Sequence, residues 1–325
     1  MLDKLYLIKI DDNGSKSEVP ASEANFLVGG CGTVNFGFNS QIFSVPQLGQ
    51  DPTYSLIAGG SYNSTSGAWG VIAGGLYNAN FGYLGGVIGG GIFNQVRGNY
   101  GAIAGGCFNC IGFLLNDDNS IFAGDSTLIV SNSFIGGGGN NKILGISGDY
   151  NSTQWNSIVG GRCNNIRGAP RSFIGGGECN TIFGRGFNVN NYNAILEGCC
   201  NRVSSGSYSF ILNGERNTIT GSYSSILAGR GHNISGSHVA ILNGTGNKVF
   251  SNNASILAGL RATIPLNHSG AVLLTDSQDR NHTSSGPNTL TLDFASGVYI
   301  SGSLFVNGRQ LLVSTQGTVF SPTTI

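Results

Sequence analysis

The feature that most constrains this chain is a short pattern that recurs about every 15 residues. An aliphatic residue opens each copy, a glycine follows three positions later and an asparagine three positions after the glycine, as in Ile57, Gly60 and Asn63. Such a short fixed period is typical of a solenoid, in which each repeat forms one coil that stacks on the next. The pattern therefore predicts an extended stack of coils and not a closed globule.

Each position of the repeat has a predicted role. The opening position forms the core and includes Ile57, Ile72, Ile103, Ile158, Ile174, Ile211, Ile226, Ile241 and Ile256. The glycine permits a close backbone approach, and the asparagine is expected to adopt left-handed backbone angles in a turn while its amide bonds to its copy one coil away. Because a second aliphatic column follows the asparagine, we predict about fifteen coils, each with two short strands and two turns.

The residue directly after each opening position is apolar in every copy. Neighbouring residues of a strand point to opposite faces, so this column cannot share the core with the first one. It becomes leucine in five consecutive copies, namely Leu196, Leu212, Leu227, Leu242 and Leu257. An exposed stripe of this length would exceed the apolar patches of soluble monomers. We therefore expect an obligate homo-oligomer with this column in its interface, where burial offers on the order of 10 kcal/mol per chain.

The repeated line is similar to the head repeats of YadA-like trimeric autotransporter adhesins, most plainly in residues 225–229 (SILAG) and 255–259 (SILAG). The resemblance covers roughly residues 26 to 266 and implies a left-handed parallel β-roll with three chains around one axis. Similar rolls occur in phage and viral fibres, and residues 297–308 resemble the strand-turn-strand ends of such fibres. The expected fold is an all-β, left-handed parallel β-roll, trimeric, with a small C-terminal β cap.

Three segments are predicted. Residues 1–25 form an N-terminal β hairpin, because two apolar-rich runs flank the turn signal Asp-Asp-Asn-Gly at 11–14, and we expect this segment to attach to another virion protein. Residues 26–268 form the roll. Residues 269–325 lose the repeat and are expected to form the β cap that covers the open end of the stack.

The coil spacing lengthens at residues 113–119, 146–156 and 186–193, and extra residues in a solenoid loop outward. Two of these loops combine aromatic and polar side chains, which often contact sugars or proteins. The candidate binding residues are Asp149, Tyr150 and Trp155 in one loop and Phe187, Asn190 and Tyr192 in the other. They would bind a host-surface receptor or glycan. The alternative for each loop is a tolerated insertion without a ligand.

Composition argues against several functions. The 16 Lys and Arg residues balance 16 Asp and Glu, whereas nucleic-acid binding needs clustered cations. No apolar stretch is long enough to span a bilayer, and the first residues lack a secretory signal. The neighbouring carboxylates Glu178, Glu197 and Glu215 fall at unequal positions of the repeat, so no catalytic residue is predicted.

No metal ligand or cofactor is predicted either. The pair Cys107 and Cys110 lies many coils from Cys199 and Cys200, so that one zinc ion could not collect all four thiolates. Six of the seven cysteines fall four or five places after an opening residue, and we expect these turn cysteines to be buried thiols. Cys163 and Cys179 lie on successive coils, close enough for a disulfide in principle.

These observations favour a structural trimeric fibre or spike of a virus or phage, such as a tail fibre, that assembles in the host cytoplasm and presents loops on the virion surface. The start at Met1 and the cysteine usage of a reducing compartment favour this interpretation. Two alternatives stay open: a bacterial YadA-like surface adhesin head without its export and anchor segments, and a passive spacer or decoration protein.

Overall fold

The computed structural model describes residues 34–36, 39–42, 54–66, 69–82, 84–113, 132–145, 155–184 and 191–300, together with the backbone of four further strands. Across these residues the chain is all-β and forms a parallel β-solenoid of about 13 turns. No helix occurs in them, and hence none long and apolar enough to cross a membrane.

Strands are numbered β1 to β33 in chain order. The first sheet contains β3 (Val34–Asn35), β5 (Leu56–Ile57), β7 (Val71–Ile72), β9 (Val87–Ile88), β11 (Ala102–Ile103), β13 (Phe134–Ile135), β15 (Ser157–Ile158), β17 (Phe173–Ile174), β19 (Ala194–Ile195), β21 (Phe210–Ile211), β23 (Ser225–Ile226), β25 (Ala240–Ile241), β27 (Ser255–Ala258), β29 (Val272–Thr275) and β31 (Leu290–Asp293).

The second sheet contains β4 (Gln41–Ile42), β6 (Ser64–Thr65), β8 (Ala79–Asn80), β10 (Gln95–Val96), β12 (Cys110–Phe113), β14 (Lys142–Gly145), β16 (Asn165–Arg167), β18 (Thr181–Phe183), β20 (Arg202–Ser204), β22 (Thr218–Ile219), β24 (Asn233–Ile234), β26 (Lys248–Val249), β28 (Ala262–Ile264) and β30 (His282–Thr283). In both sheets each strand pairs in parallel with the equivalent strand of the next coil. Two antiparallel pairs complete the strands, β1 (Tyr6–Ile10) with β2 (Lys16–Pro20) and β32 (Leu304–Val306) with β33 (Arg309–Leu311).

The predicted parallel solenoid is confirmed, but the register of its first coil differs from the prediction. We expected Ile42 to open a coil in the first sheet, whereas it lies in β4 of the second sheet and pairs with Thr65. The first-sheet position of this coil is held by Asn35, a buried side chain that donates a hydrogen bond to the carbonyl of Ser40 at 2.7 Å. The apolar periodicity missed this coil because a polar residue occupies its core position. Leu27 and Ile121, which open two further predicted coils, lie outside the described residues.

Several coils are built from two copies of one five-residue unit, as residues 216–220 and 223–227 show. The unit begins with a left-handed residue, Arg216 (φ 55°) or Tyr223 (φ 52°), which turns the chain. A buried polar residue follows, and two positions later an isoleucine enters the core. The first turn, which leads from the first sheet to the second, and the second turn, which leads back, therefore have the same local design.

The core consists of two facing aliphatic columns, one from each sheet. The nine first-sheet isoleucines named above are each fully buried, as are Ile166, Ile182 and Ile219 of the second sheet. Branching at Cβ suits the side chain to a pleated, closely stacked surface. A column of this kind has no gap between coils, so every coil depends on its two neighbours.

Asparagines line the interior of the first turn and form a continuous ladder. Asn180 is typical: its N–H donates to Oδ1 of Asn164 at 3.0 Å, and its Nδ2 donates to the carbonyls of Gly176 and Gly198 at 3.0 and 2.8 Å. The predicted amide bonds between coils are present. The predicted left-handed conformation is wrong for these asparagines, because the residue before each one takes the positive φ so that the amide can point inward.

The residues assigned to the C-terminal cap include strands that continue both sheets, because β29 and β31 extend the first sheet and β30 extends the second. At this end the fully buried His282 lies between Asp293, whose Oδ2 is 2.7 Å from Nδ1, and Asp276. Arg280 binds Asp293 at 2.7 Å, and the hydrogen bonds from Arg280 and His282 hold the pKa of Asp293 below its usual value. This polar cluster satisfies the buried His282, which pairs with Ala262 and so lies in the column of the asparagine ladder.

Candidate functional site

The outer surface of the first sheet is uncharged and mostly apolar from β5 to β27. In each strand from β5 to β27 the buried residue is flanked by two outward residues, and neither position carries a charge in any of these strands. Leu196, Leu212, Leu227, Leu242 and Leu257 are 36–42% exposed in the single chain. We call the outward residues of β5 to β27 the apolar face.

Large and small side chains alternate across the apolar face. In β5, β13 and β17 the large residue comes before the buried isoleucine and a small one after it, as in Phe134 with Gly136 and Phe173 with Gly175. In β19, β25 and β27 the order is reversed, as in Ala194 with Leu196. Most of these strands carry one large outward side chain, although β11 has only Ala102 and Ala104 and β21 has both Phe210 and Leu212. A mainly apolar face of this kind can pack against a second surface. The ridge of large side chains crosses the sheet along the solenoid.

The structure places Trp155 and Tyr192 differently from the prediction. We expected both in outward loops, but each occupies the left-handed position of the second turn, with φ of 62° and 38°. Both side chains are exposed, Trp155 by 60%. The residues that lengthen these coils come before this turn position in the sequence. Trp155 and Tyr192 therefore belong to the coil itself. Asp149, Tyr150, Phe187 and Asn190 lie outside the described residues.

Tyr192 begins a stacked ladder on the second turn. Its ring centroid is 5.0 Å from that of Tyr208, which is 5.0 Å from Tyr223, which in turn is 4.9 Å from His238. The guanidinium of Arg171 lies 5.3 Å above the other side of the Tyr192 ring. Because the rings cover one another's faces, they expose mainly their edges. This ladder is therefore poorly suited to sugar binding by ring stacking and well suited to joining coils.

The first turn carries a similar outward column of side chains. The column is aromatic in the earlier coils and contains cysteines in later ones. Tyr62, Tyr77, Phe93 and Phe108 stack at centroid distances of 4.8 to 5.1 Å. Equivalent positions later in the chain are Cys163, Cys179 and Cys200. Sequence analysis expected buried thiols at the turns, which is wrong, because left-handed turn residues project outward.

Among the described cysteines, all of which are free, only Cys110 is buried. It lies on the second sheet, and burial raises the pKa of its thiol to about 11. At the first turn, the Sγ atoms of Cys199 and Cys200 are 3.1 Å apart, and the hydrogen bond with Cys200 raises the pKa of Cys199 to about 11. Both shifts favour the neutral thiol at physiological pH, which is the less reactive form.

The outer surface of the second sheet is polar and basic. Register pairing aligns Lys142, Asn165, Thr181 and Arg202 on four consecutive strands, β14 to β20. Arg167 and Phe183 pair in the neighbouring outward column. We call these six residues the basic patch. Sequence analysis missed it because each coil supplies a different residue type at the same register position.

The three stretches that lengthen the coil all follow strands of the second sheet. Chain segments outside the described residues begin after β12, after β14 and shortly after β18, at the second turn in each case. Two of these strands, β14 and β18, carry residues of the basic patch. Two of these three segments therefore start next to the basic patch.

The carboxylates considered for catalysis are engaged in exposed ion pairs or stand apart. Glu178 lies 3.7 Å from Arg162, and Glu215 lies 3.4 Å from both Arg216 and Arg230. Glu197 occupies a different position of the repeat. Over the part of the chain that the structure describes, no group of three or more His, Cys, Asp or Glu side chains is placed to hold a metal ion.

Comparison with known proteins assigns no family to this chain. No protein-family model matches the sequence, and no curated protein matches it.

Proposed function

We propose that this protein is a structural fibre or spike subunit of a virus or phage particle, in which three chains pack as left-handed β-rolls around one axis and present their outer surfaces to a host. The observation that carries the proposal is the apolar face. A rod with one continuous uncharged side is expected to bury that side against copies of itself.

The energetics support association. The five leucines already bury more than half of their surface within the chain, so the gain from covering the rest is on the order of 1.5 kcal/mol each. The other large residues of the face, such as Phe134, Phe173 and Phe210, add similar amounts. The total exceeds several kcal/mol per chain, which is the scale needed to offset the entropy lost on association.

The arrangement of the remaining surfaces fits a fibre. With the apolar face at the axis, the second sheet points outward, where a host surface would be met. Three copies of a weak site on one rod would raise the apparent affinity through multivalency. Exposed thiols such as Cys179 and Cys200 are typical of proteins that fold in a reducing compartment, which favours assembly inside a host cell.

Light scattering on the full chain tests the assembly. We expect the purified protein to have three times the chain mass of 33.6 kDa. The double variant Leu227→Asp/Leu242→Asp should lose the trimer, because it places carboxylates in the centre of the buried face. A wild-type monomer that remains soluble would contradict the proposal.

The matched control is Thr218→Asp/Asn233→Asp. These residues occupy the outer surface of the second sheet in the same coils, so the control adds the same charge on the opposite side. We expect it to keep the trimer mass. Equal loss of the trimer in both variants would mean that charge alone, and not the apolar face, decides assembly.

A further inference from the structure

We propose that the basic patch on the outer surface of the second sheet binds a linear acidic polysaccharide through the carboxylates of its sugars. This ligand class deepens the proposed surface-binding role. It rests on the proposed function only for the place where the protein would meet the polysaccharide, namely a host surface. The basic patch consists of Lys142, Asn165, Arg167, Thr181, Phe183 and Arg202.

The charge of the solenoid is uneven although the whole chain is neutral. Within the described part of residues 54–270 the acidic residues are Glu178, Glu197 and Glu215, whereas the basic residues are Arg97, Lys142, Arg162, Arg167, Arg171, Arg202, Arg216, Arg230, Lys248 and Arg261. The outward positions of the second sheet from β6 to β28 carry five of these cations and no carboxylate. An anionic ligand is therefore drawn to this surface and not to the apolar face.

Ion pairing sets these cations apart from those of the first turn. Arg162, Arg216 and Arg230 are each within 3.7 Å of a glutamate. By contrast, no carboxylate among the described residues forms an ion pair with Lys142, Arg167 or Arg202. The patch thus offers cations whose charge is not neutralised by any carboxylate of the described residues.

The patch also has the shape of a short linear site. Its strands are spaced by about 4.8 Å, so Lys142 and Arg202 are separated by roughly 14 Å along the solenoid axis, with Asn165 and Thr181 between them. Arg167 stands beside this line, in register with Phe183 on the next strand. Cations for carboxylates, an amide and a hydroxyl for sugar hydroxyls, and one apolar ring together match an acidic sugar chain.

Two polar atoms of the patch lack partners. Within the structure described, Nε of Arg167 and Oδ1 of Asn165 are buried and form no hydrogen bond. Native proteins leave few buried polar atoms unsatisfied, and such atoms are expected where a bound group or water completes the network. Burial of Nε also restrains the Arg167 side chain, so less entropy is lost when its guanidinium binds a ligand.

The spacing favours a polysaccharide over nucleic acid. Duplex DNA carries one charge per about 1.7 Å, which calls for densely clustered cations. The patch holds three cations over roughly 14 Å, which suits a polymer with a single carboxylate on each sugar or on every second sugar.

The test is calorimetric titration of the full chain with a size-defined oligogalacturonate, a neutral maltooligosaccharide and a DNA duplex. We expect the oligogalacturonate to bind, with affinity falling as salt rises from about 50 to about 200 mM, and the neutral sugar not to bind. The variant Arg167→Gln/Arg202→Gln should weaken binding by at least roughly tenfold, because it removes two charge-assisted contacts. The single variant Arg202→Gln, which changes an exposed side chain and so spares folding, should weaken it by about threefold.

The control is Arg216→Gln/Arg230→Gln, which removes the same charge from the first turn and should leave the affinity within about twofold of the wild type. Absence of oligogalacturonate binding at low salt, an equal loss in the control, or tighter binding of the DNA duplex would each overturn the inference. Light scattering on the same samples separates the two proposals: an intact trimer that binds no acidic sugar overturns this inference alone, whereas a monomer that binds it overturns only the assembly.

Discussion

His232 takes the place of one asparagine in the ladder of the first turn and reproduces its contacts. Its N–H donates to Oδ1 of Asn217 at 3.0 Å, and its Nδ1 accepts the N–H of Asn247 at 3.1 Å. Its Nε2 faces the carbonyls of Ala228 and Gly244, which correspond to the carbonyls that the asparagine amides bind. Since Nδ1 accepts a hydrogen bond, the buried ring is neutral, and burial lowers its pKa to about 4.

This histidine makes stability depend on pH. The folded pKa lies below the value of about 6.5 in an unfolded chain, so the unfolded state takes up a proton first as the pH falls. The contribution is complete above pH 6.5 and is lost between about pH 6.5 and about pH 4. We expect the wild type to lose roughly 2 kcal/mol per chain at pH 5 relative to His232→Asn.

Urea unfolding of both proteins at pH 7 and pH 5 measures this difference. His238→Asn is the control, because it removes an exposed histidine of the second turn and leaves the asparagine ladder of the first turn intact. If His232→Asn and the wild type lost the same stability on acidification, the neutral buried ring would be refuted.

Several first-sheet strands, such as β17, are followed by two adjacent glycines that differ in their structural requirements. Gly177 has φ of 80°, and a Cβ there would collide with the carbonyl of Gly198 on the next coil. Gly176 has no atom near the position of a Cβ. Close stacking of coils therefore depends on the second glycine of the pair, which is the one that recurs at a constant place in the repeat.

Alanine substitution at these two glycines should therefore have very different effects on stability. Gly177→Ala should destabilise the protein by at least about 3 kcal/mol, because it combines an unfavourable backbone conformation with a clash against neighbouring backbone. Gly176→Ala should change stability by less than about 1 kcal/mol, since the added methyl group meets nothing. Thermal unfolding of both variants distinguishes them, and similar midpoints would contradict the stacking geometry.

The strands and the core could be predicted from sequence, whereas the turns could not. The isoleucines recur at a similar spacing, and most of them lie where the period places them, whereas Ile42 does not. The second turn was not predicted because its buried position holds different residue types in different coils, among them Asn156, Ser172, Asn193, Ser209 and Ser224. Asparagine and serine form equivalent hydrogen bonds between coils: the N–H of Ser209 donates to Oδ1 of Asn193 at 3.0 Å, and the hydroxyl oxygen of Ser209 accepts the N–H of Ser224.

At the scale of the whole molecule, coil stability and assembly are expected to be linked. A solenoid gains stability from contacts between neighbouring coils, and a trimer would add contacts along every coil. We therefore predict that the thermal midpoint rises with protein concentration, as mass action requires when unfolding separates the chains. Leu227→Asp/Leu242→Asp should show a lower midpoint that is independent of concentration. A constant midpoint for the wild type in differential scanning calorimetry would argue for a monomeric rod.

The sequence by itself determined that this chain forms a parallel stack and which aliphatic residues fill it. That was possible because equivalent residues of successive coils touch, so the period directly encodes the contacts. Only the tertiary structure decided that the turn thiols face solvent, that Trp155 and Tyr192 belong to the coil, and that Lys142, Arg167 and Arg202 share one surface. The physical reason is that these properties depend on side-chain direction at left-handed turns and on unlike residues in register across coils, neither of which repeats in the sequence.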